Sequence, residues 1–276
     1  MGCRVKNKEG QGLGQTQLSI KDLLEAGAHF GHQKRRWNPK MRRFIFEARN
    51  GLYIIDLAKT LQAIRDTLDV VAKCVRDKKS ILFVGTKKQA KEVIRGCAEE
   101  CGEFYVSERW LGGMLTNMST IRNSIKTLDR IEKKLAAGGG GLTKKELSLL
   151  AKEQIKLERN LSGIRGMRKL PGLLIVVDPS QEHIAVAEAN KLDIPVVALI
   201  DTNCNPDPIT YPIPSNDDAL KSVKVIVKEL TRVVIDQKKA MNLSFGVDME
   251  EAKEKMGLQK DKSAIKETIE PMEASQ

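Results

Sequence analysis

Residues 173–201 read LLIVVDPSQEHIAVAEANKLDIPVVALID, and their pattern is the clearest indication of the fold class. It holds two apolar runs, Leu173–Val177 and Pro195–Ile200, each followed by an aspartate and turn-forming residues. The residues between the runs, around His183–Leu192, predict a helix. Near-continuous apolar strands joined by a helix are typical of a parallel sheet that is covered by helices on both faces.

The same alternation recurs on both sides of this stretch. Ile81–Val84 is a short apolar run that ends at Gly85, and a helix is predicted to follow from Lys87 to Cys101. Other predicted elements are a helix over Leu57–Val75, a strand at Phe104–Val106, an extended edge at Tyr211–Pro214 and a helix over Asp217–Val234. The chain is therefore predicted to be an α/β protein with a mainly parallel sheet.

The N-terminal part has a different character. Ser19 is placed to cap a short helix that runs to about Ala26. Phe44–Phe46 and Leu52–Ile55 read as two short strands around Asn50-Gly51, which is a strong signal for a tight antiparallel hairpin.

A pair of amphipathic helices interrupts the α/β pattern. The first has apolar residues at helical spacing, and four glycines at 138–141 end it. Thr143 and Glu146 then form a capping-box pattern for a second helix. We predict an antiparallel coiled-coil hairpin inserted into the α/β domain, and two ordinary surface helices packed on the sheet are the alternative. The apolar seams are Ile121, Ile125, Leu128, Ile131 and Leu135, and Leu147, Leu150, Gln154, Leu157, Leu161 and Ile164.

These patterns divide the chain into five segments. Residues 1–17 are polar and are predicted to be flexible. Residues 18–118 and 167–240 are predicted to form the two halves of the α/β domain, with the hairpin at 119–166 between them. Residues 241–276 are acidic and poor in aromatic residues, so we predict a disordered tail.

The charge of the chain favours a polyanionic partner. Its 276 residues include 47 Lys and Arg against 36 Asp and Glu, a formal net charge of +11. The isoelectric point of about 9.4 is typical of nucleic-acid-binding domains. No apolar run approaches the roughly 20 residues that span a bilayer. The five cysteines lack framework spacing and no signal peptide is apparent, so we expect a cytoplasmic protein.

One segment concentrates the positive charge. Residues 29–43 read HFGHQKRRWNPKMRR, and six of the ten residues from 34 to 43 are basic. Closely spaced cations around Trp37 suit a phosphate array and an unstacked base, so we predict RNA binding here. A solvated loop that is basic by chance is the alternative. The six cations are Lys34, Arg35, Arg36, Lys40, Arg42 and Arg43.

Other cations extend the predicted RNA-binding set. Lys87 and Lys88 follow the first strand of the α/β pattern, where a helix N-terminus can hold phosphate. The turn lacks the GxxxxGK[ST] pattern of a nucleotide-binding loop, and a solvated cap is an equal alternative. Arg109 stands in RWLGGMLTN at 109–117, where it either contacts phosphate or pairs with an acid. The remaining predicted residues, at the base of the hairpin, are Arg165, Arg168 and Lys169.

The sequence gives little support for catalysis or metal binding. Asp178 and Asp201 end two strands, where α/β enzymes place catalytic carboxylates, but turn and capping roles account for both. Cys97 and Cys101 fall on an apolar helical stripe, so we interpret them as buried. His29 and His32 lack a partner pair for zinc. We therefore predict no catalytic residue, no metal, no cofactor and no small-molecule substrate.

The quoted segments resemble one family, the bacterial-type ribosomal protein S2 of the small subunit. The resemblance runs from about Leu18 to Val234 and leaves residues 1–15 and the tail after about Met241 unassigned. The stretches that carry it are AGAHFGHQKRRWNPKMRRFIFEARNGLYIIDL at 26–57, ILFVGTKKQA at 81–90, RWLGGMLTN at 109–117, LTKKE at 142–146, LPGLLIVVDPSQEHIAVAEANKLDIPVVALIDTNCNPD at 170–207 and IPSNDDA at 213–219.

The resemblance implies a three-layer Rossmann or flavodoxin-like parallel sheet with an inserted antiparallel coiled-coil hairpin. It also implies a non-catalytic ribosomal component that contacts small-subunit ribosomal RNA between head and body. Neighbouring small-subunit proteins are implied partners, including the messenger-binding protein S1, which it would help to dock. Two other hypotheses stay open: an enzyme acting on a phosphorylated metabolite at Gly85–Lys88, and a protein-only scaffold working through the coiled coil.

Overall fold

The structure is a computed structural model that describes residues 16–137 and 142–241. Most of the predicted flexible N-terminus, the glycine break at 138–141 and the predicted acidic tail lie outside the described residues. The chain divides into a unit of Met1–Gln237 and a unit of Lys238–Gln276. Residues 238–241 are the described part of the second unit, and all other described residues belong to the first.

The N-terminal part folds as a helix and a small antiparallel sheet. Helix α1 begins after Ser19, whose Oγ accepts a hydrogen bond from the Asp22 amide at 3.2 Å. The predicted hairpin is confirmed, since Asn50 (φ 48°) and Gly51 (φ 79°) both take the left-handed conformation of a tight hairpin turn. The first strand of this sheet was not predicted. The elements are α1 (Ile20–Glu25), β1 (Phe30–Gln33), β2 (Ile45–Arg49) and β3 (Leu52–Ile55), with strand order β1-β3-β2.

The main sheet has five parallel strands, as the apolar runs predict. Their order, β5-β4-β6-β7-β8, places the first strand of the sheet inside and the second at one edge. This is the order of flavodoxin-like doubly wound sheets. Pro212 and Pro214 lie in the edge strand, where a missing amide donor is tolerated. The strands are β4 (Ile81–Val84), β5 (Phe104–Val106), β6 (Leu173–Val177), β7 (Val196–Ile200) and β8 (Tyr211–Pro214).

Helices flank the sheet and complete an α/β fold of the predicted kind. Alternate strand side chains such as Leu82 and Val176 pack with α6 in one buried core, while α2 contacts β8 and α3 contacts β4 and β5. Helix α3 begins four residues later than predicted. None of the described helices has the length and apolar character needed to cross a membrane. The helices are α2 (Leu57–Arg76), α3 (Lys91–Cys101), α4 (Met118–Ala136), α5 (Lys144–Leu161), α6 (His183–Lys191) and α7 (Leu220–Ala240).

Helices α4 and α5 contact each other along the predicted apolar seams. The α4 seam from Ile121 to Ile131 is buried, and the α5 seam is half-buried from Leu147 to Leu157 and buried at Leu161. The predicted capping box is present, because Glu146 Oε2 accepts from the Thr143 amide at 2.8 Å and Thr143 Oγ1 accepts from the Glu146 amide at 3.4 Å. Coiled-coil packing and the domain boundaries at 119 and 166 stay predictions.

Candidate nucleic-acid interface

The basic segment, residues 34–43, lies exposed beside the N-terminal sheet. Lys34–Arg36 forms one short 3-10 helix and Pro39–Phe44 forms another. Lys40 pairs with Asp207. Within residues 16–137 and 142–241, none of the other five cations forms an ion pair. The segment therefore presents positive charge that the described part of the chain does not neutralise.

Buried and aromatic side chains fix this segment to the body. Met41 is 0% exposed and sits in the main core, between the exposed Lys40 and Arg42. Trp37 is half-buried, with its ring centroid 5.0 Å from that of Tyr53 in β3. Trp37 thus anchors the segment, and the prediction that it stacks on an RNA base stays a prediction.

Thr202, two residues after the end of β7, holds both ends of the loop that carries Lys34–Arg36. Its hydroxyl accepts a hydrogen bond from the His32 amide at 2.9 Å, and its carbonyl accepts one from the Asn38 amide at 2.8 Å. A Cβ on Gly31 would lie 2.6 Å from Thr202 Cγ2, so glycine is required for this close approach. A residue that follows a strand of the parallel sheet thereby positions the cations that follow β1 of the N-terminal sheet.

Lys87 is a predicted RNA-binding residue, but the structure places its ammonium group among acidic side chains of the chain itself. Its ammonium lies 2.7 Å from Asp217 Oδ1, 2.6 Å from Asp218 Oδ1 and 3.4 Å from Asp178 Oδ2. Burial opposes the charge, but the hydrogen bonds to Asp217 and Asp218 outweigh it and raise the pKa of Lys87. Because three carboxylates already neutralise this lysine, the geometry weighs against an RNA contact. Lys88, one residue on, is exposed.

The turn after β4 is likewise filled by acidic groups of the chain itself. The Thr86 amide donates to Glu182 Oε1 at 3.0 Å, and the Thr86 hydroxyl donates to the same oxygen. Burial raises the pKa of Glu182, although the Thr86 bonds act in the opposite direction. A phosphate at this turn would have to displace an internal carboxylate, so the observed arrangement does not favour phosphate binding.

A second group of acids surrounds His32 at the same edge of the sheet. His32 Nδ1 lies 2.9 Å from Asp201 Oδ2, and Nε2 lies 3.5 Å from Asp218 Oδ2. The hydrogen bond to Asp201 raises the pKa of His32 despite its burial. With Asp217, these side chains offer ligand atoms within 4.8 Å of one another and could hold a divalent cation. The sequence gives no local signal for this group, because the acids that approach His32 follow it by more than 160 residues along the chain.

Asp178 and Asp201 have the turn roles that the sequence suggests. Asp178 Oδ1 accepts from the Ser180 amide at 3.1 Å and the Gln181 amide at 3.4 Å. Asp201 Oδ1 accepts from the Thr202 hydroxyl at 3.1 Å. Cys97 and Cys101, on α3, are buried as predicted.

Glu188, for which the sequence gives no local signal, organises the RWLGGMLTN loop. This buried carboxylate on α6 accepts hydrogen bonds from the Trp110 indole at 3.1 Å and from loop amides, including those of Gly113 at 2.7 Å and Thr116 at 3.0 Å. Burial works against ionisation, but these donors together hold the pKa of Glu188 below its ordinary value. The loop presents Arg109 as an exposed side chain.

Glu188→Gln is expected to destabilise the protein by about 2–3 kcal/mol, since an amide nitrogen would face donors that need an acceptor. The depressed pKa gives stability that is present above the unfolded-state pKa and is lost as pH falls through the folded-state value. The urea midpoint of the variant should therefore differ most from wild type at neutral pH, and the difference should shrink as the pH is lowered. Equal midpoints at pH 7 would show that the carboxylate does not hold this loop.

The predicted cations at the base of the helix pair fall into two classes. Arg165 pairs with Asp129 and with Glu132, whose Oε2 lies 2.7 Å from Nη2. Arg168 and Lys169 are exposed, and the Arg168 carbonyl accepts a hydrogen bond from the Arg122 guanidinium. Arg165 therefore has an internal role, whereas Arg168 and Lys169 are available to a partner.

Comparisons with a family model and with individual known proteins identify the same protein family. The model of the family described as Ribosomal protein S2 matches residues 23–237. Small ribosomal subunit protein uS2 of Protochlamydia amoebophila is 72% identical over 221 residues, covering 80% of this chain and 81% of that protein. The uS2 proteins of Chlamydia abortus and Chlamydia pneumoniae are 64% and 63% identical, and each alignment covers 83% of both chains. The chain belongs to the ribosomal protein S2 family.

Proposed function

We propose that this chain is a structural component of the small ribosomal subunit that binds ribosomal RNA through the basic segment. The observation that carries the proposal is a run of exposed cations, of which only Lys40 forms an ion pair within the described residues, fixed to a rigid α/β body by Met41 and Thr202. Relatives that are more than 60% identical are named small ribosomal subunit proteins, which supports this role. S2 is a ribosomal protein family and not an enzyme family.

The finer proposal concerns location and neighbours. We propose that the chain lies between the head and body of the small subunit in the cytoplasm, beside other small-subunit proteins, and helps to dock S1. In this proposal the paired helices α4 and α5 form an inserted coiled-coil hairpin that reaches RNA or protein neighbours. The exposed Lys88, Arg109, Arg168 and Lys169 would enlarge the RNA-binding surface around the basic segment.

The test is the salt dependence of binding between the full chain and small-subunit ribosomal RNA. If about six cations each neutralise one phosphate, a plot of log affinity against log salt has a slope of about −4 to −5, at roughly −0.7 to −0.9 per contact. A slope near zero would show that the chain does not bind RNA through phosphate contacts. Loss of cosedimentation with small subunits after ribonuclease treatment would separate RNA binding from a protein-only scaffold, which would survive the treatment.

The enzyme alternative makes a different prediction. It requires a phosphorylated small molecule at Gly85–Lys88, where Glu182 and Asp217 already occupy the amide and ammonium donors. Calorimetry with a panel of nucleotides and sugar phosphates should therefore show no binding heat. Saturable heat with any of them would favour the enzyme alternative.

A further inference from the structure

Helix α4 carries a stripe of positive charge that lies outside the predicted RNA-binding set. Four exposed cations recur along it at steps of four, four and three residues, so they share one face. At a rise of 1.5 Å per residue, the stripe is about 17 Å long, with cations separated by about 5–6 Å. The stripe consists of Arg122, Lys126, Arg130 and Lys133.

The acidic residues of α4 do not neutralise this stripe. Asp129 and Glu132 are the two acids within Met118–Ala136, and both pair with Arg165. Within residues 16–137 and 142–241, no carboxylate forms an ion pair with any of the four stripe cations. The two acids of α4 therefore neutralise Arg165, and the cations on the outer face of the helix keep their positive charge.

The stripe faces away from the hydrophobic seam. At 100° per residue, its members lie about 150° around the helix from the buried Ile121–Ile131 seam. None of the exposed large hydrophobic side chains among the described residues belongs to α4. Protein interfaces usually have an apolar centre, whereas closely spaced cations without apolar neighbours suit a polyanion.

We infer that the α4 stripe is a second RNA-binding surface that contacts the phosphodiester backbone of ribosomal RNA. The inference rests on the proposed function, because it takes ribosomal RNA as the partner. Arg168 lies at the base of the stripe, with its carbonyl held by the Arg122 guanidinium. The stripe therefore continues the exposed charge of Arg168 and Lys169 along α4. Contact with phosphates alone makes this surface independent of base sequence.

The test compares two full-length variants that each lose three charges. One carries Lys126→Gln, Arg130→Gln and Lys133→Gln, and the control carries Lys221→Gln, Lys224→Gln and Lys228→Gln on the exposed face of α7. Glutamine keeps helix propensity close to that of lysine and arginine, and Arg122 is retained because it bonds to Arg168. Binding to small-subunit ribosomal RNA is measured from low to high salt.

We expect the α4 variant to lower the magnitude of the salt slope by about two units, which is about a hundredfold in affinity at ~0.1 M salt if affinities converge at 1 M. The α7 variant should keep the wild-type slope. Equal losses in both variants, or no loss in the α4 variant, would overturn the inference. So would normal RNA binding by an α4 variant that no longer enters small subunits, because the stripe would then contact a protein. Failure of the proposed function can be distinguished from failure of this inference. If the proposed function fails, the wild-type chain itself shows no salt-dependent affinity for ribosomal RNA.

Discussion

Replacing Arg35, Arg36, Arg42 and Arg43 together with alanine should lower the magnitude of the salt slope by about three units, or about a thousandfold in affinity at ~0.1 M salt. These guanidinium groups are exposed and form no ion pair with the described residues, so each is free to neutralise a phosphate. Arginine is also suited to phosphate because it donates hydrogen bonds in a planar fork. The measurement is binding of the full chain to small-subunit ribosomal RNA across a salt series.

The variant should fold normally, which makes the loss interpretable. Met41 and Thr202, which fix the segment, are unchanged, and exposed surface substitutions usually alter stability by less than about 0.5 kcal/mol each. The matched control replaces four exposed lysines outside the segment with alanine, and its slope should stay close to wild type. An unchanged slope in the arginine variant would remove these residues from the interface. The control residues are Lys21, Lys221, Lys224 and Lys228.

Lys87→Met is expected to reduce the free energy of unfolding by about 3–5 kcal/mol, because it leaves buried carboxylates without their cation. Asp217 has a fully buried side chain and Asp178 is nearly as buried. Burial and the neighbouring Asp178 and Asp201 already raise the pKa of Asp217 to about 7 while Lys87 is present. Methionine fills a similar volume, so the loss reports charge more than packing.

The pH dependence of this variant has a definite sign. A carboxyl group whose folded-state pKa is raised opposes folding once pH exceeds its unfolded-state pKa, and protonation removes that penalty. The deficit of Lys87→Met should therefore be largest near pH 8 and shrink towards pH 5 in urea denaturation. Lys91→Met is the control, since Lys91 forms a partly exposed pair with Glu108 at 2.8 Å and should cost less than about 1 kcal/mol. A deficit for Lys87→Met no larger than that of Lys91→Met would show that the acidic cluster does not depend on its lysine.

The features that the sequence predicts well are those with a local physical signal. Continuous apolar runs such as Leu173–Val177 have the pattern of a doubly covered parallel strand. Asn50-Gly51 demands left-handed backbone, and Ser19 and Thr143 supply side-chain caps. The exposure of the basic segment also follows locally, since consecutive cations cannot be buried together.

The features that the sequence does not reveal depend on contacts between distant residues. Strand β1 is short and gains its partner from β3 some twenty residues later. Glu188 meets Trp110 and the loop amides across more than 70 residues of chain. Lys87 follows a strand where a phosphate site is plausible, and only the approach of Asp217 and Asp218 from the far end of the domain shows that its charge is used internally. Periodicity likewise does not fix the order of the strands, which the structure shows to be β5-β4-β6-β7-β8.

The most direct test of the central claim is protein–RNA cross-linking of small subunits that contain this chain. Photo-cross-linked peptides are identified by mass spectrometry, and the cross-linked nucleotides are mapped on the ribosomal RNA. RNA binding through the basic segment predicts cross-links within residues 34–43 and none at Lys87. Small subunits that contain the chain but yield no RNA cross-link in the basic segment, with cross-links confined to other surfaces, would contradict it.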